Sequence, residues 1–378
     1  MRPQLKGVVW KRDGQELRLV YDTREHLLIE DPDGTVERLL ELLAEGDRPP
    51  STLAEVLNVA VADVQAAVEL LDEYRMVEDA ERRYGFSARE NERYYSNLAF
   101  FESFATLAQS REDYQRRLRA AHVLVLGTGG LNSNTIPHLC GLGVGKLTLL
   151  DRDRVEARNF ARQYLYRWGD IGKSKVAVAA DWVRAFDPTI EVRAVEGSVD
   201  STQTVSALLA EHRPDVVMSG VDSPAEVDLW VNAACWAAGI PLVRAGMIVT
   251  QGLVWSAAQG RGACRQCPMV DAAIDDPSLD ADLASAYETV ELAKTRGQVN
   301  RGIGPVAGLL GSLAAFEVLR YLTGFEPPAY AGRPLYIDFA SGCATQQVEW
   351  ERDPDCPVCG TGTSSAPSER DDRAEVMT

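Results

Sequence analysis

Three glycines, Gly127, Gly129 and Gly130, lie between an apolar segment, HVLVLG, and a segment with a helical pattern. A glycine-rich turn between a strand and a helix presents backbone N–H groups and the positive helix terminus to phosphate oxygens. The next apolar segment, KLTLLD, ends at Asp151, where a carboxylate can accept hydrogen bonds from ribose hydroxyls. The whole unit predicts a nucleotide site, whereas the turn alone also fits a purely structural role. The sixth position of the glycine fingerprint is Asn132. Asparagine is small enough to fit where glycine would allow close packing, but it can alter how the phosphates lie.

Four polar side chains follow Asp151 and fall within seventeen residues of one another: Asn159, Arg162, Gln163 and Lys175. In an α/β fold this stretch lies at the carboxyl end of the sheet, where ligands bind. A triphosphate needs several cationic and amide donors, whereas a hydride-transfer cofactor does not. A solvated polar helix is the alternative interpretation for any one of them.

A further carboxylate, Asp222, follows the strand-like segment DVVMSG. Acids at the carboxyl ends of parallel strands face the ligand crevice, and Mg²⁺ bound there with phosphates would offset the charge of leaving pyrophosphate. The alternative is a helix N-cap, because Ser223 and Pro224 are typical of a helix start.

Two C-x-x-C pairs supply four thiols, Cys264, Cys267, Cys356 and Cys359, with 88 residues between the pairs. Four thiolates fit a tetrahedral Zn²⁺ with no open position, which predicts a structural zinc clip in preference to redox chemistry. Cys140 and Cys235 lie in apolar helical contexts and are expected to be buried. Cys343 remains as a candidate nucleophile, and the four histidines are too scattered to suggest a metal cluster.

The composition limits the class of partner. The 378 residues carry 39 Lys and Arg against 56 Asp and Glu, a formal charge of −17, and contain 46% hydrophobic residues. A field of this sign repels nucleic acid and anionic membranes. The sequence also lacks an N-terminal signal-like stretch and an uninterrupted apolar run of about 18 residues, so we expect a cytoplasmic protein that binds neither nucleic acid nor membrane.

Alternating strand and helix patterns after residue 120 predict an α/β fold with a doubly wound, mainly parallel sheet. We expect residues 1–88 to form a small winged-helix-like α+β domain and residues 89–119 to connect it to this fold. The α/β domain with its zinc site would span residues 120–362, including a crossover loop before the apolar segment near residue 304. A polar tail, 363–378, is expected to be disordered.

These motifs, in this order, resemble the adenylyltransferases related to ThiF, MoeB and the ubiquitin-activating enzymes. The motifs are GTGGLN, LLDRD, RNFARQ, IGKSK, SGVDS and the two cysteine pairs. Within the family the chain looks most similar to the microcin C type of peptide adenylyltransferase, which carries an N-terminal peptide clamp. The resemblance implies ATP as substrate, phosphate contacts by Arg162 and Lys175, nucleotide contacts by Asp153 as well as by the residues above, an essential Asp222 and a homodimer.

The resemblance also shows departures. Where the family has an arginine before the sheet that reaches phosphates, this chain has Ser96, and Arg93 is the nearest substitute. The expected crossover stretch has no cysteine, which argues against thioester transfer. The resulting hypothesis is ATP-dependent adenylation of a carboxylate on a ribosomally made precursor peptide. The alternatives are adenylation of a sulfur-carrier protein and a non-catalytic scaffold that binds leader peptides.

Overall fold

The computed structural model describes residues 1–360 except 23–25, 47, 83–84, 225, 249 and 269–301. The expected crossover loop and the polar tail therefore lie outside the described residues.

The N-terminal residues build a hydrophobic core of their own, around Leu17, Leu40 and Val77. Strands β2, β3 and β4 pair antiparallel in that order, while β1 pairs with β5. The left-handed Asn58 (φ 54°) separates α2 from α3, so one amphipathic pattern gives two helices. The elements are β1 (Pro3–Leu5), β2 (Val9–Asp13), β3 (Glu16–Val20), β4 (His26–Glu30), α1 (Thr35–Glu45), α2 (Pro50–Leu57), α3 (Val61–Glu73) and β5 (Val77–Asp79).

Three helices lead from this region to the large sheet: α4 (Ala88–Arg93), α5 (Tyr95–Glu102) and α6 (Arg111–Ala120). A capping box between Ser110 and Asp113 begins α6, and basic residues occupy its last turn, as the helix dipole favours. Phe101 of α5 and Leu118 of α6 are fully buried, so these two helices pack onto the core of the large sheet.

The large sheet has eight strands in the order β13-β12-β11-β10-β9-β6-β7-β8. Five neighbouring strands, β10, β9, β6, β7 and β8, are parallel to one another. Strands β11, β12 and β13 continue the sheet beyond β10, each antiparallel to its neighbour. This confirms the predicted mainly parallel α/β fold. Its elements are β6 (His122–Leu126), α7 (Asn132–Leu142), β7 (Lys146–Asp151), α8 (Lys175–Phe186), β8 (Glu191–Glu196), α9 (Thr202–His212), β9 (Val216–Ser219), α10 (Val227–Ala238), β10 (Leu242–Ile248), β11 (Gln251–Ala257), α11 (Gly304–Thr323), β12 (Leu335–Asp338) and β13 (Ala344–Gln347).

Strand β6 shows why its sequence is apolar throughout. Val123 and Val125 pack on one face of the sheet, with α7, α8 and α11, whereas Leu124 and Leu126 pack on the other face, with α9 and α10. Both faces are covered, as in other parallel sheets.

Helix α11 has the length and mean hydropathy, 1.3, that a membrane span requires, and 56% of that stretch is buried within the protein. Its centre packs on β10 and β11, and Glu317 within it is fully buried. These contacts are those of a core helix.

Candidate nucleotide site and cysteine cluster

The glycine turn joins β6 to α7 as the sequence predicts. Gly127 has a φ of 80°, in the left-handed region that favours glycine, and its N–H donates to the carbonyl of Leu150 at 2.7 Å. A Cβ on Gly127 would lie 3.2 Å from Cγ1 of Val221. The turn therefore lies directly against the segment that follows β9.

Asn132 occupies the sixth fingerprint position without distorting the turn. Its Nδ2 donates to the carbonyls of Leu126 and Gly127 at 3.0 and 2.7 Å, and the residue is fully buried. A Cβ on Gly220 would lie 2.6 Å from that nitrogen, so glycine there leaves the room that asparagine needs. The amide faces the backbone beneath the turn.

Asp151 is buried below the turn and is held from two sides. One carboxylate oxygen accepts from the N–H and hydroxyl of Thr128 at 2.6 and 2.9 Å, and the other accepts from the N–H of Asp153 at 2.8 Å. The buried Tyr166 donates its hydroxyl to the carbonyl of Thr128 at 2.7 Å, and burial raises the pKa of Tyr166. Sequence reasoning missed Thr128 and Tyr166. Only their closeness to Gly129 and Gln163 along the chain could have suggested them.

Lys175 and Asp153 form an ion pair beside Asp151. The Nζ of Lys175 lies 2.8 Å from a carboxylate oxygen of Asp153, and the lysine side chain is 6% exposed against 56% for the aspartate. The two residues also share a backbone hydrogen bond of 2.9 Å. The buried ammonium is thereby fixed near Asp151.

Arg162 and Gln163 lie over the glycine turn. A Cβ on Gly130 would lie 2.9 Å from Nε of Arg162, and one on Gly129 would lie 3.9 Å from Nε2 of Gln163. Burial lowers the pKa of Arg162, and the carboxylate of Asp222 opposes that shift. Within the described residues, the buried Oε1 of Gln163 has no hydrogen-bond partner. The arrangement presents a cation and an amide to a ligand on the turn.

Asn159 has a more local contact. Its Oδ1 accepts from the N–H of Glu156 at 2.9 Å, which caps the short 3₁₀ helix Ala157–Ala161. It is buried, and this contact holds the first turn of the helix that precedes Arg162.

Asp222 is exposed and lies in the loop between β9 and α10, three residues past the end of the strand. Helix α10 begins at Val227 with Glu226 before it, so the interpretation of Asp222 as the N-cap of this helix is wrong. Its carboxylate instead lies close enough to Arg162 to raise the pKa of that guanidinium.

Arg93 is engaged far from this turn. Its guanidinium donates to the carbonyls of Cys140 and Gly141 at 2.8 and 3.2 Å and pairs with Asp187 at 3.2 Å. These carbonyls lie in the last turn of α7, about 12–14 Å along the helix from its first residue. Arg93 therefore does not replace the missing phosphate contact within its own chain, and Ser96 is exposed.

The four predicted zinc ligands converge. Their Sγ atoms all lie within 4.8 Å of one another, with Cys264 and Cys356 3.7 Å apart and Cys267 and Cys359 3.1 Å apart. Tetrahedral Zn–S bonds of about 2.3 Å separate sulfurs by about 3.8 Å. Burial raises the pKa of Cys264 to about 11, so the thiolates need a cation beside them. The cluster fits one Zn²⁺ that ties the end of β11 to the C-terminal segment.

Two of the other cysteines are buried, as expected. Burial raises the pKa of both Cys140 and Cys235 to about 12, and both pack in the core as small apolar groups. Cys343 is exposed in the hairpin between β12 and β13.

The fold, with a glycine turn flanked by cations and acids, is typical of nucleotide-binding α/β proteins. Residues 102–358 match the model of the ThiF family, so the chain belongs to that family and is an adenylyltransferase. Molybdopterin-synthase adenylyltransferase of Escherichia coli K12 is 32% identical over 249 residues, which cover 66% of this chain and 90% of that protein. The sulfur carrier protein ThiS adenylyltransferase of the same strain is 30% identical over 256 residues, 68% and 92% of the two chains.

Solved structures extend the likeness to the N-terminal region. The crystal structure of E. coli MccB has a TM-score of 0.77 and 20% identity, and covers 97% of this chain and 99% of that one. The complex of MccB with AMPCPP and MccA has a TM-score of 0.74, 20% identity and coverage of 95% and 100%. At this identity the likeness establishes the fold.

Proposed function

We propose that this enzyme adenylates a carboxylate of a ribosomally made precursor peptide, which residues 1–88 bind. The observation that carries the proposal is the extent of the structural likeness. The sequence relatives above align with 66–68% of the chain, whereas the MccB structures cover 95–97% and so include a counterpart of the N-terminal core. MccB has been solved with ATP and with N-formylated MccA bound.

The chemistry follows from the site. An oxygen of the substrate carboxylate attacks the α-phosphorus of ATP, the bond from that phosphorus to the bridging oxygen breaks, and pyrophosphate leaves with the electron pair. The products are an acyl adenylate and pyrophosphate. Arg162 and Lys175 offset phosphate charge, Asp151 holds the ribose, and Asp222 would hold Mg²⁺, which neutralises the leaving group.

Activation of a sulfur-carrier protein is the second candidate, because relatives at 30–31% identity are named as sulfur carrier protein adenylyltransferases. The relatives of that name align with 67–68% of the chain, so this activity assigns no task to the N-terminal sheet. A sheet whose outer strands, β2 and β4, each have one unpaired edge within that sheet suits an extended peptide better.

The test is ATP–pyrophosphate exchange with synthetic peptides encoded by short reading frames beside the gene, compared with a carrier protein that ends in Gly-Gly. Exchange that depends on a peptide supports the proposal, and exchange with the carrier alone replaces it by the second candidate. Asp222→Asn should abolish exchange, while Asp181→Asn, at an exposed acid on α8, should not. Peptide binding without any exchange would establish the scaffold interpretation instead.

We also infer that two copies associate through the outer face of α11. Leu309 and Phe316 of this helix are 39% and 46% exposed, one above the other two turns apart. Phe100 of α5 extends the patch, with its ring 6.3 Å from that of Phe316. A second copy that packs on these side chains removes their apolar surface from water.

A further inference from the structure

A buried arginine on β10 takes no part in the site as described so far. Arg244 is 8% exposed, and arginines are rarely buried to this degree unless they are paired or bind a ligand. It lies in the only stretch of β10 that pairs parallel with β9 within the described residues. The contacts described above therefore do not explain why this guanidinium is buried.

The register places Arg244 level with the start of the glycine turn. Arg244 pairs with Ser219 of β9, and Ser219 pairs with Leu126, the last residue of β6. Adjacent strands lie about 4.8 Å apart, so Arg244 is about 10 Å across the sheet from Leu126. The loop that carries Asp222 leaves the strand between them.

The side chain of Arg244 extends toward the carboxyl edge of the sheet. A Cβ on Gly246, two residues onward on the same face, would lie 3.2 Å from Nη1 and 3.5 Å from Nη2 of Arg244. The guanidinium therefore lies over Gly246, beyond the end of β9. Any larger residue at 246 would displace it.

The guanidinium is oriented but not saturated. Its Nε donates to Asp228 in the first turn of α10 at 2.7 Å, and its Nη1 donates to the carbonyl of Ala245. Nη2 has no hydrogen-bond partner among the residues that the structure describes. On the neighbouring strand, the buried hydroxyl of Ser219 also lacks a partner in that part of the chain. A purely structural ion pair would explain the bond to Asp228 but not the open donors.

We propose that Arg244, positioned by Asp228, binds the carboxylate of the polypeptide end that is to be adenylated. This rests on the proposed function only in that the reacting group is a polypeptide carboxylate, whether of a peptide or of a carrier. A carboxylate that approaches a triphosphate is repelled by it, and a guanidinium beside the crevice offsets that repulsion. Arginine also fits a carboxylate through two parallel N–H bonds, which fixes its direction of approach.

The experiment uses N-acetylglycylglycine, whose only charge is one terminal carboxylate, and its C-terminal amide. Binding of each probe to the full-length protein is measured by ligand-observed NMR, with and without ATP. We expect the acid to bind at least about ten-fold tighter than the amide. Arg244→Gln should abolish that preference and change the ATP dissociation constant less than about two-fold, which also shows that the variant is folded.

Arg244→Lys keeps the charge and should retain part of the preference, while Arg261→Gln, at an exposed arginine beyond β11, should retain all of it. Equal binding of acid and amide by the unaltered protein would overturn the proposal. So would an undiminished preference in Arg244→Gln, or a ten-fold loss of ATP affinity, which would assign the arginine to phosphate. None of these binding measurements requires adenylation. A failure of the proposed function would appear separately, as the absence of ATP–pyrophosphate exchange.

Discussion

At the scale of single residues, the position of Lys175 is unfavourable for the stability of the folded protein. It is the first residue of α8, where the helix dipole disfavours a cation, and its side chain is 6% exposed. Asp153 compensates for this charge at 2.8 Å, but the aspartate is itself largely in water. A lysine placed at such a cost, beside the glycine turn, is best explained by a bound anion.

We therefore expect Lys175→Ala to weaken ATP binding by about 10-fold to 100-fold, since a charge-assisted hydrogen bond contributes about 1.5–3 kcal/mol. Isothermal titration calorimetry with ATP and Mg²⁺ measures this loss. The matched control is Lys173→Ala, because Lys173 lies two residues away but is 60% exposed and pairs with Asp170. Equal losses for the two variants would mean that general electrostatics, and not a contact by Lys175, determines the affinity.

The sequence predicted those site residues whose chemistry and spacing are visible along the chain. Gly127, Asp151 and Arg162 belong to short motifs, and the structure brings them together. Tyr166 and Arg244 were missed because their contacts depend on a backbone turn and on a neighbouring strand, which only the folded chain supplies. The contacts of Arg93 were not foreseen for the same reason, since its partner Asp187 is distant in sequence.

At the scale of elements, the alternation of apolar and amphipathic segments predicted the parallel sheet correctly. It did not reveal the pairing of β1 with β5, because register between strands more than 70 residues apart depends on tertiary packing. Helix α11 shows a second limit. Its sequence shows that Glu317 interrupts the apolar pattern but not what the carboxylate contacts: it accepts from Ser256 at 2.7 Å and from the N–H of Tyr330 at 2.9 Å. These bonds tie the buried face of α11 to the sheet and leave its outer face for other contacts.

The outer face of α11 is the surface through which we expect two chains to associate. Phe316→Asp places a charge in the centre of the patch formed by Leu309, Phe316 and Phe100, so we expect it to convert a dimer into monomers. Sedimentation velocity should give the unaltered protein twice the mass of one chain. Phe186→Asp, at the equally exposed end of α8, should leave the dimer intact. A dimer that survives Phe316→Asp uses another surface.

At the scale of the whole molecule, the N-terminal core is joined to the rest by polar contacts around one buried lysine. The Nζ of Lys6 donates to the carbonyls of Arg75 and Ala105 at 2.7 and 2.6 Å. Nearby, the N–H of Leu107 donates to Asp72 at 2.8 Å, and Arg75 pairs with Glu326 at 2.9 Å. The position of the proposed peptide-binding region relative to the nucleotide site depends on these bonds.

The contacts around Lys6, which we call the joint, should make the free energy of unfolding depend on pH. Burial lowers the pKa of Lys6 to about 8, while Glu102 and Asp72 raise it and Arg75 lowers it further. The ring of Tyr21 also faces the ammonium, at 5.3 Å. Because the folded pKa lies below the unfolded value of about 10.4, the unfolded chain binds the extra proton between those pH values. The free energy of unfolding contributed by Lys6 therefore rises from pH 8 towards pH 10, by up to about 1.4 kcal/mol per pH unit.

Lys6→Met removes this proton, so its free energy of unfolding should lack that rise. We expect urea denaturation at pH 7.5 and pH 9.5 to show the unaltered protein gaining about 1–2 kcal/mol relative to Lys6→Met at the higher pH. Tyrosines, thiols and the N-terminus titrate in the same range, but they are common to both proteins and cancel in the difference. Lys11→Met, at an exposed position on β2, should show no such gain. A difference between the unaltered protein and Lys6→Met that stays constant with pH would mean that Lys6 remains charged in the joint, held by the two carbonyls and the surrounding carboxylates.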